Sequence, residues 1–475
     1  MKRIALFASL ALLLLTACGG ATPTAAPTAA PTKPAAPAAT TAPAATTAPA
    51  ATAATAATAA PTKPAATAVP PTATAVPPTI TPAPGRTRIT FWYSQSGTQG
   101  KAIEAMVEQY NQSQSANQVV AIYQGSYADI AQKLTAAVAA KTLPDIAQMG
   151  GAPTMAESGV IVPVADLVSA ADKSDIYPGF WDYNSFNGKI VSMPFNNSLP
   201  LLYINKDLFK AAGLDPDKPP KTWDELVAAA KALTKDTNGD GKPDQWGFNT
   251  HTDTHWYFAA MVMQAGGKIL SDDGKKVVYN GPEGVAALKF WGELVNTHKV
   301  MPSNQHGTAS ADFVAGKLGM LMRSSSNLPT IEKDAKFAVG VAPLPCQKAC
   351  SSPIGGASLL LFKGAADKQK AAWDFAQWMT SPANSVDLFI KTGYVPIRKS
   401  VSNEAALKDY VAKSPNAAAL IAGMPNASSI PIFAELGNND EQMRKAIEKI
   451  ELGGTDYQGA LNTAAETINK AMSGQ

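Results

Sequence analysis

Apolar positions are spread unevenly along the 475 residues. Behind Lys2-Arg3, an apolar run with Ser9 as its one polar residue extends from Ile4 to Leu15. It falls short of the roughly 20 residues a bilayer-spanning helix needs, and it ends at small residues, which is the layout of a secretory signal. From Gly19 to Gly85 there is no acidic and no aromatic residue, and Lys33 and Lys63 are the only charges. Proline every few residues blocks helices and ladders there, so the tract predicts an extended, disordered Ala/Thr/Pro tether without a core. At Arg86 the pattern changes to alternating apolar elements, and about 390 residues remain, enough for two domains.

Arg88–Tyr93 reads as a strand. Ile103, Met106, Val107 and Tyr110 then recur at helical spacing. Val119–Tyr123 is a second strand; Ile130, Leu134 and Val138 mark a second helix, and Asp145–Met149 a third strand. This alternation predicts parallel βαβ units, an α/β fold. Such sheets bind ligands beyond the carboxyl ends of their strands, which places Tyr93 to Gln95, Gly125 to Tyr127 and Met149 to Gly151 on one rim. Farther on, Thr222-Trp223-Asp224-Glu225 predicts a capping box that starts a helix after Pro219-Pro220. Another helix begins near Pro282 and carries Val285, Leu288, Lys289 and Trp291. Gly319–Met322 predicts a short buried strand running into Ser324-Ser325-Ser326-Asn327.

Charge narrows the partners. Four of the 40 basic residues precede Arg86, which leaves 36 against 37 acidic ones in the folded part. A net charge near zero without a basic cluster argues against nucleic acid. Cys346 and Cys350 are the cysteines after Cys18. In an exported chain the pair reads as a local disulfide rather than a metal site, with two free thiols as the alternative. Asp236, Asn238, Asp240, Lys242 and Asp244 offer oxygen ligands in calcium-loop order with Gly241 at position 6, but position 12 is Gly247 instead of a glutamate. Weak calcium binding and an Asx-rich turn both stay open; no cofactor is otherwise required. His251 and His255 lack a third zinc ligand at enzyme spacing. No GxSxG, HExxH or phosphate-cradling glycine loop is present, and a glycan-cleaving enzyme would need two carboxylates facing across a cleft.

Leu15-Thr16-Ala17-Cys18 resembles the lipobox of bacterial lipoproteins. That implies removal of residues 1–17, acylation of Cys18 and anchoring to membrane lipid on the outer face of the cell membrane, with residues 18–85 as the tether. From Arg86 on, the chain resembles the extracellular solute-binding proteins of ABC importers, nearest the glycerol-3-phosphate-binding branch. The resemblance rests on Phe91-Trp92-Tyr93-Ser94, Tyr203-Ile204-Asn205-Lys206-Asp207, Pro219 to Leu226, Ile354-Gly355-Gly356-Ala357-Ser358 and Lys391 to Pro396. It implies a two-lobed periplasmic-binding-protein-like fold of type II with the ligand between the lobes, residues 86–195 and 322–380 forming one lobe and 196–321 and 381–475 the other. It also implies a monomer that binds a sugar, polyol or glycerol phosphate derivative, delivers it to a membrane permease and breaks no bond; a sensor-linked binding module would use the same fold.

Carried over residue by residue, the cleft positions are Tyr127, Asn197, Ser198, Trp256, Ser325, Gly356 and Tyr394, with Tyr93 on the same rim. Aromatic faces suit C–H surfaces, and amide and hydroxyl groups suit hydroxyl edges. Two positions depart from the branch. Met149 stands where it has an acid for glycerol hydroxyls, and Glu435 where it has an arginine near the phosphate. A carboxylate facing a dianion opposes binding, which favours a neutral carbohydrate or polyol over a phosphate-bearing glycerol derivative. Arg323 is the cation available to the latter.

Overall fold

The computed structural model describes residues 84–150, 153–430, 433 and 435–474. The signal segment, Cys18 and nearly all of the tether lie outside them. Two sheets organise the fold. In chain order their strands are β1 (Thr87–Tyr93), β2 (Asn117–Tyr123), β3 (Ile146–Met149), β4 (Met193–Ser198), β5 (Pro200–Asn205), β6 (Trp246–Thr250), β7 (Leu318–Ser324), β8 (Val339–Ala342) and β9 (Gly355–Leu361). The helices that matter below are α1 (Gly97–Ser113), α2 (Tyr127–Ala140), α3 (Trp223–Leu233), α4 (Thr254–Gln264), α5 (Pro282–Gly292), α6 (Ala366–Met379), α7 (Pro382–Thr392) and α8 (Leu436–Glu451).

The first sheet runs β2-β1-β3-β9-β4. β1 is parallel to β2 and β3, as the βαβ pattern predicts, and β9 enters antiparallel between β3 and β4. Alternation along each strand feeds two cores. Ile89, Phe91, Leu359 and Leu361 pack with α1 and α6 on one face, while Ala147, Met149 and Leu360 pack with Ile130 and Leu134 of α2 on the other. The second sheet runs β8-β5-β7-β6. Leu202, Ile204, Met320 and Met322 form a core there with α3, α4, α5 and α8. Each fully buried large apolar side chain contributes about 1.5–3 kcal/mol, and both sheets are covered on their inner faces by many of them.

The boundary between the lobes differs from the sequence reading. Asn196, Asn197 and Ser198 still pair with Ala357, Gly356 and Gly355 in the first sheet. Pro200 pairs with Ser324 in the second. The chain therefore changes sheets at Leu199, next to a proline that has no N–H to continue a ladder. Met322 pairs with Leu202 and Thr250, so it belongs to the second lobe, and the return to the first comes only after Ala342. From residue 381 to Ser428 the chain stays with the first lobe, since α7 packs on α1 and Ala427–Ser428 pairs with Ser352–Pro353, and α8 then returns it to the second.

The capping box at Thr222 is half made. Thr222 Oγ1 accepts the Glu225 N–H at 3.2 Å, but Glu225 Oε2 accepts the Lys221 N–H at 2.6 Å instead of that of Thr222. A complete box forms at Ser126, where Ser126 Oγ accepts the Asp129 N–H and Asp129 Oδ2 accepts the Ser126 N–H. It fixes Tyr127 as the first residue of α2, directly beside the cleft.

Candidate functional site

Where the two sheets meet, a cavity of about 720 Å³ opens between the lobes. The first-lobe wall comes from the ends of β1 and β3 and the start of α2: Ser94, Gln95, Ser96, Ser126, Tyr127 and Gly150, joined by Tyr183 and Tyr394. These are the carboxyl ends that the parallel topology assigns to ligands. A hydrogen-bond chain sits behind them. Ser94 N donates to Gln148 Oε1 (2.9 Å), Gln148 Nε2 to Asn196 Oδ1 (2.9 Å), and Asn196 Nδ2 to the Tyr127 hydroxyl (3.3 Å). Tyr394 donates to Gln95 Oε1 at 2.9 Å, and Tyr183 to the Gly356 carbonyl at 3.1 Å. Burial raises the pKa of Tyr127 and Tyr394, so both stay protonated.

Gly356 forms the floor at φ +89°, and a Cβ there would stand 2.2 Å from the Asn196 carbonyl oxygen. Only glycine meets both the left-handed backbone and this close approach.

The second-lobe wall is helical and charged. From α4 come His255, Trp256 and Ala259; from α8 come Leu436, Asn439, Asp440 and Met443, spaced i, i+3, i+4 and i+7 on one helix face. The Trp256 ring lies against Gly355, where an added Cβ would come within 2.7 Å of it, and its buried Nε1 has no hydrogen-bond partner among the described residues. Arg323 is the single lysine or arginine lining the cavity among the described residues. It is engaged already, with Nη1 3.5 Å from Asp253 Oδ2 and Nη2 donating to Asn327 Oδ1 at 3.2 Å.

Asp440 Oδ2 lies 3.5 Å from His255 Nε2. Burial pushes the Asp440 carboxyl up to about 7 against the opposing pull of Arg444. Burial also brings the His255 imidazole down to about 4, with Arg444 adding to the shift. Between those values the pair is a neutral acid beside a neutral imidazole. Burial alone would raise Asp253, but the hydrogen bond and charge of His251 and the charge of Arg323 hold it below the ordinary carboxylate value.

Of the residues proposed from sequence, Tyr127, Ser198, Trp256, Gly356 and Tyr394 line this cavity. Five do not. Tyr93 points the other way along β1, stacking on Phe91 and bonding Glu104 of α1, because strand side chains alternate; Ser94 faces the cleft. Met149 is buried under α2, and Gly150 takes its place at the cavity. Asn197 is fully buried with Nδ2 on the Gly355 carbonyl, and Asn196 is the one that reaches a lining tyrosine. Ser325 is fully buried with its hydroxyl accepting the Leu199 N–H, while Ser324, Ser326 and Asn327 face inward. Glu435 sits at the N-terminus of α8, where it accepts from Asn438 Nδ2, and Leu436 lines the cavity. Sequence reasoning missed Asp253, His255 as a wall residue, Asn439 and Asp440; the i, i+3, i+4, i+7 spacing along α8 was the available signal.

Two other features lie away from the cavity. Cys346 and Cys350 are bonded, and their loop is held by Lys348 N and Ala349 N donating to the Gln264 carbonyl. In the 236–244 loop, Asp236 accepts the Gly239 and Gly241 N–H groups, Asn238 that of Asp240, and Asp240 that of Lys242. Asp244 accepts the Thr237 N–H. The bonds at Asn238 and Asp240 are Asx turns, and the others tie the loop to itself. Among the described residues no three His, Cys, Asp or Glu side chains converge as metal ligands.

Residues 105–416 match the family described as bacterial extracellular solute-binding protein. The chain is 31% identical over 413 residues to the sn-glycerol-3-phosphate-binding periplasmic protein UgpB of Shigella dysenteriae, covering 81% of this chain and 92% of that protein. UgpB of Escherichia coli K12 is equally similar, 31% over 415 residues with the same coverage. Among solved structures, the cyclic alpha-maltosyl-1,6-maltose binding protein of Arthrobacter globiformis superposes with a TM-score of 0.72 at 28% identity, covering 82% of this chain and 100% of that one. UgpB of Mycobacterium tuberculosis in complex with glycerophosphocholine gives 0.72 at 25%, covering 82% and 99%. Two α/β lobes around a cleft walled by strand ends on one side and helices on the other fit that match, and the chain belongs to the bacterial extracellular solute-binding proteins that serve ABC importers.

Proposed function

We propose that this protein is a lipid-anchored receptor that captures a neutral carbohydrate or polyol between its lobes and hands it to a membrane permease, without cleaving any bond. The observation that carries this reading is the balance of the cleft. Tyr127, Tyr183, Trp256 and Tyr394 offer aromatic faces, Ser94, Gln95, Ser198 and Ser326 offer hydroxyl and amide groups, and the one arginine is already held by Asp253 and Asn327. A dianion would have to displace that pairing and face the ionised Asp253. The ABC solute-binding protein of Thermotoga lettingae bound with α-D-tagatose, similar at 25% identity and a TM-score of 0.69, supports the sugar class.

A thermal-shift panel of neutral sugars, polyols, sn-glycerol-3-phosphate and glycerophosphocholine tests it, because a ligand at 100 times its Kd adds about 2.7 kcal/mol of stability. The reading expects a shift with a neutral member and none with the phosphates. A shift confined to the phosphates, or hydrolysis of a glycan without any shift, overturns it. A second reading, a glycerol phosphate or phosphodiester receptor, is supported by the 31% identity to UgpB and by Arg323.

The anchor is supported by Leu15-Thr16-Ala17-Cys18 and by the long tether, which keeps a receptor near its permease without fixing its orientation. Cys18→Ala is expected to release the protein from the membrane fraction. Retention there would contradict the lipid anchor.

A further inference from the structure

Two neighbouring glycines at the floor of the cleft are glycine for different reasons. Gly356 needs its left-handed backbone, and the Asn196 carbonyl of its own sheet stands 2.2 Å from where a Cβ would be. Gly355 has neither constraint. It is extended strand at the start of β9, paired with Ser198 and outside the left-handed region, so any residue could adopt its backbone. The three atoms nearest to an added Cβ all belong to Trp256: Cζ2 at 2.7 Å, Cε2 at 3.0 Å and Cη2 at 3.3 Å. Trp256 lies on α4 and packs against the core of the second lobe. The side chain missing at Gly355 therefore makes room for the other lobe, not for its own.

The contact is one of shape alone. Trp256 Nε1, beside those ring atoms, has no hydrogen-bond partner among the described residues, so the ring is not bonded to the strand it rests on. Behind it stands the fully buried Tyr257, with ring centroids 5.5 Å apart. An ordinary carbon–carbon contact is about 3.5–4.0 Å, so a methyl group on Gly355 would drive the indole back by about 1 Å. Gly355 pairs with Ser198 in the first sheet, and two residues later Pro200 pairs with Ser324 in the second. The added methyl would thus act next to the point where the chain passes between lobes, and a small displacement beside a pivot grows toward the mouth of the cleft.

We propose that Gly355 is the stop that sets how far the two lobes close: the Trp256 ring lands on its bare Cα, and only a residue without a side chain lets the cleft reach the width that grips the solute. The inference rests on the reading of this cavity as a solute cleft that closes on capture. Gly355 and Trp256 then act as one pair across the lobes.

Gly355→Ala and Trp256→Phe, alone and together, test this. Phenylalanine lacks the benzo edge that reaches Gly355, so it clears the space a methyl needs. In ligand-free crystals of Gly355→Ala the angle between the two sheets is expected to open relative to the wild type, with the Trp256 ring still in place on α4. An unchanged angle, with the ring swung aside, overturns the proposal. Calorimetric titrations with maltose and with sn-glycerol-3-phosphate run in parallel, since a stop acts on closure whichever solute enters. For the probe that the wild type binds, Gly355→Ala is expected to weaken affinity by about tenfold or more, the effect of one methyl forced into a filled space. In the Trp256→Phe background the same change is expected to cost little. Equal losses in the two backgrounds overturn the proposal, as does a fall in ligand-free Tm that Trp256→Phe leaves in place. If sn-glycerol-3-phosphate alone binds, the neutral-solute reading fails, while the comparison of the two backgrounds still decides the role of Gly355 on that probe.

Discussion

The two walls of the cleft are built by opposite means. On the first lobe the wall is neutral and backbone-determined: strand ends, a capping box at Ser126, a glycine floor and a buried amide chain hold Tyr127 in place, and Tyr394 bonds Gln95 beside it. On the second lobe it is made of titratable side chains, most of them projecting from α4 and α8, with Arg323 of β7 paired to Asp253 and His255 beside Asp440. A wall made by the backbone cannot be altered without cost to the fold, whereas a wall made by side chains can change its chemistry while the helices stay where they are. This division implies that the first lobe supplies the fixed frame and the second lobe tunes what the frame accepts.

The sharpest way to break the comparison is to place one substitution on each side. Gly356→Val combines a left-handed backbone with a 2.2 Å approach to Asn196 O. It is expected to destabilise the protein by about 3 kcal/mol or more, seen as a lowered Tm by calorimetry, with loss of ligand response. Trp256→Ala, on the helical wall, is expected to cost about 2 kcal/mol of binding, roughly 30-fold in Kd, with a smaller change in Tm. Equal Tm losses in the two variants would erase the distinction.

The charged wall makes a prediction about pH as well. Asp440 has a folded pKa near 7, above its ordinary value, so the folded state holds a proton the unfolded state has lost, and this carboxyl makes stability fall as pH rises from about 4 to 7. His255 has a folded pKa near 4, below its ordinary value, so it makes stability rise with pH from about 4 to 6.5. The two slopes oppose each other, and the wild-type protein is expected to be nearly flat in that window. Asp440→Asn should leave stability rising from pH 4 to 6.5, and His255→Gln should leave it falling from pH 4 to 7. The change is on the order of 1–2 kcal/mol, because the Asp440 side chain is 28% exposed and partly screened. Chemical denaturation across that range checks both signs, and parallel slopes in the two variants would contradict the assignment.

The first wall was far more legible in the sequence than the second. Period-two alternation and βα spacing located the ends of β1 and β3, and the family motifs located Tyr127, Gly356 and Tyr394. Tyr93 and Met149 miss the cavity by one residue each, since a strand sends neighbours to opposite faces and neither residue says which face is the cleft. Asn197 and Ser325 miss it for a related reason: polar types were read as ligand contacts, but they satisfy buried backbone groups. Asp440 and Asp253 are ordinary charged residues in the sequence, and only the packing of α8 against α4 brings them near one another and shields Asp440. The lobe boundary at Leu199 was missed by three residues because it was carried over from the family resemblance, whereas Asn196, Asn197 and Ser198 are a buried strand of the first sheet.

Calorimetric titration of the wild-type protein with the neutral sugar or polyol from the panel, at low and high salt and alongside sn-glycerol-3-phosphate, tests most directly whether the cleft holds a neutral solute between a fixed neutral wall and a tuned helical wall. The predicted result is binding of the neutral compound with an affinity indifferent to salt, and no heat from the phosphate. Salt-sensitive binding of sn-glycerol-3-phosphate that survives Trp256→Ala would contradict it.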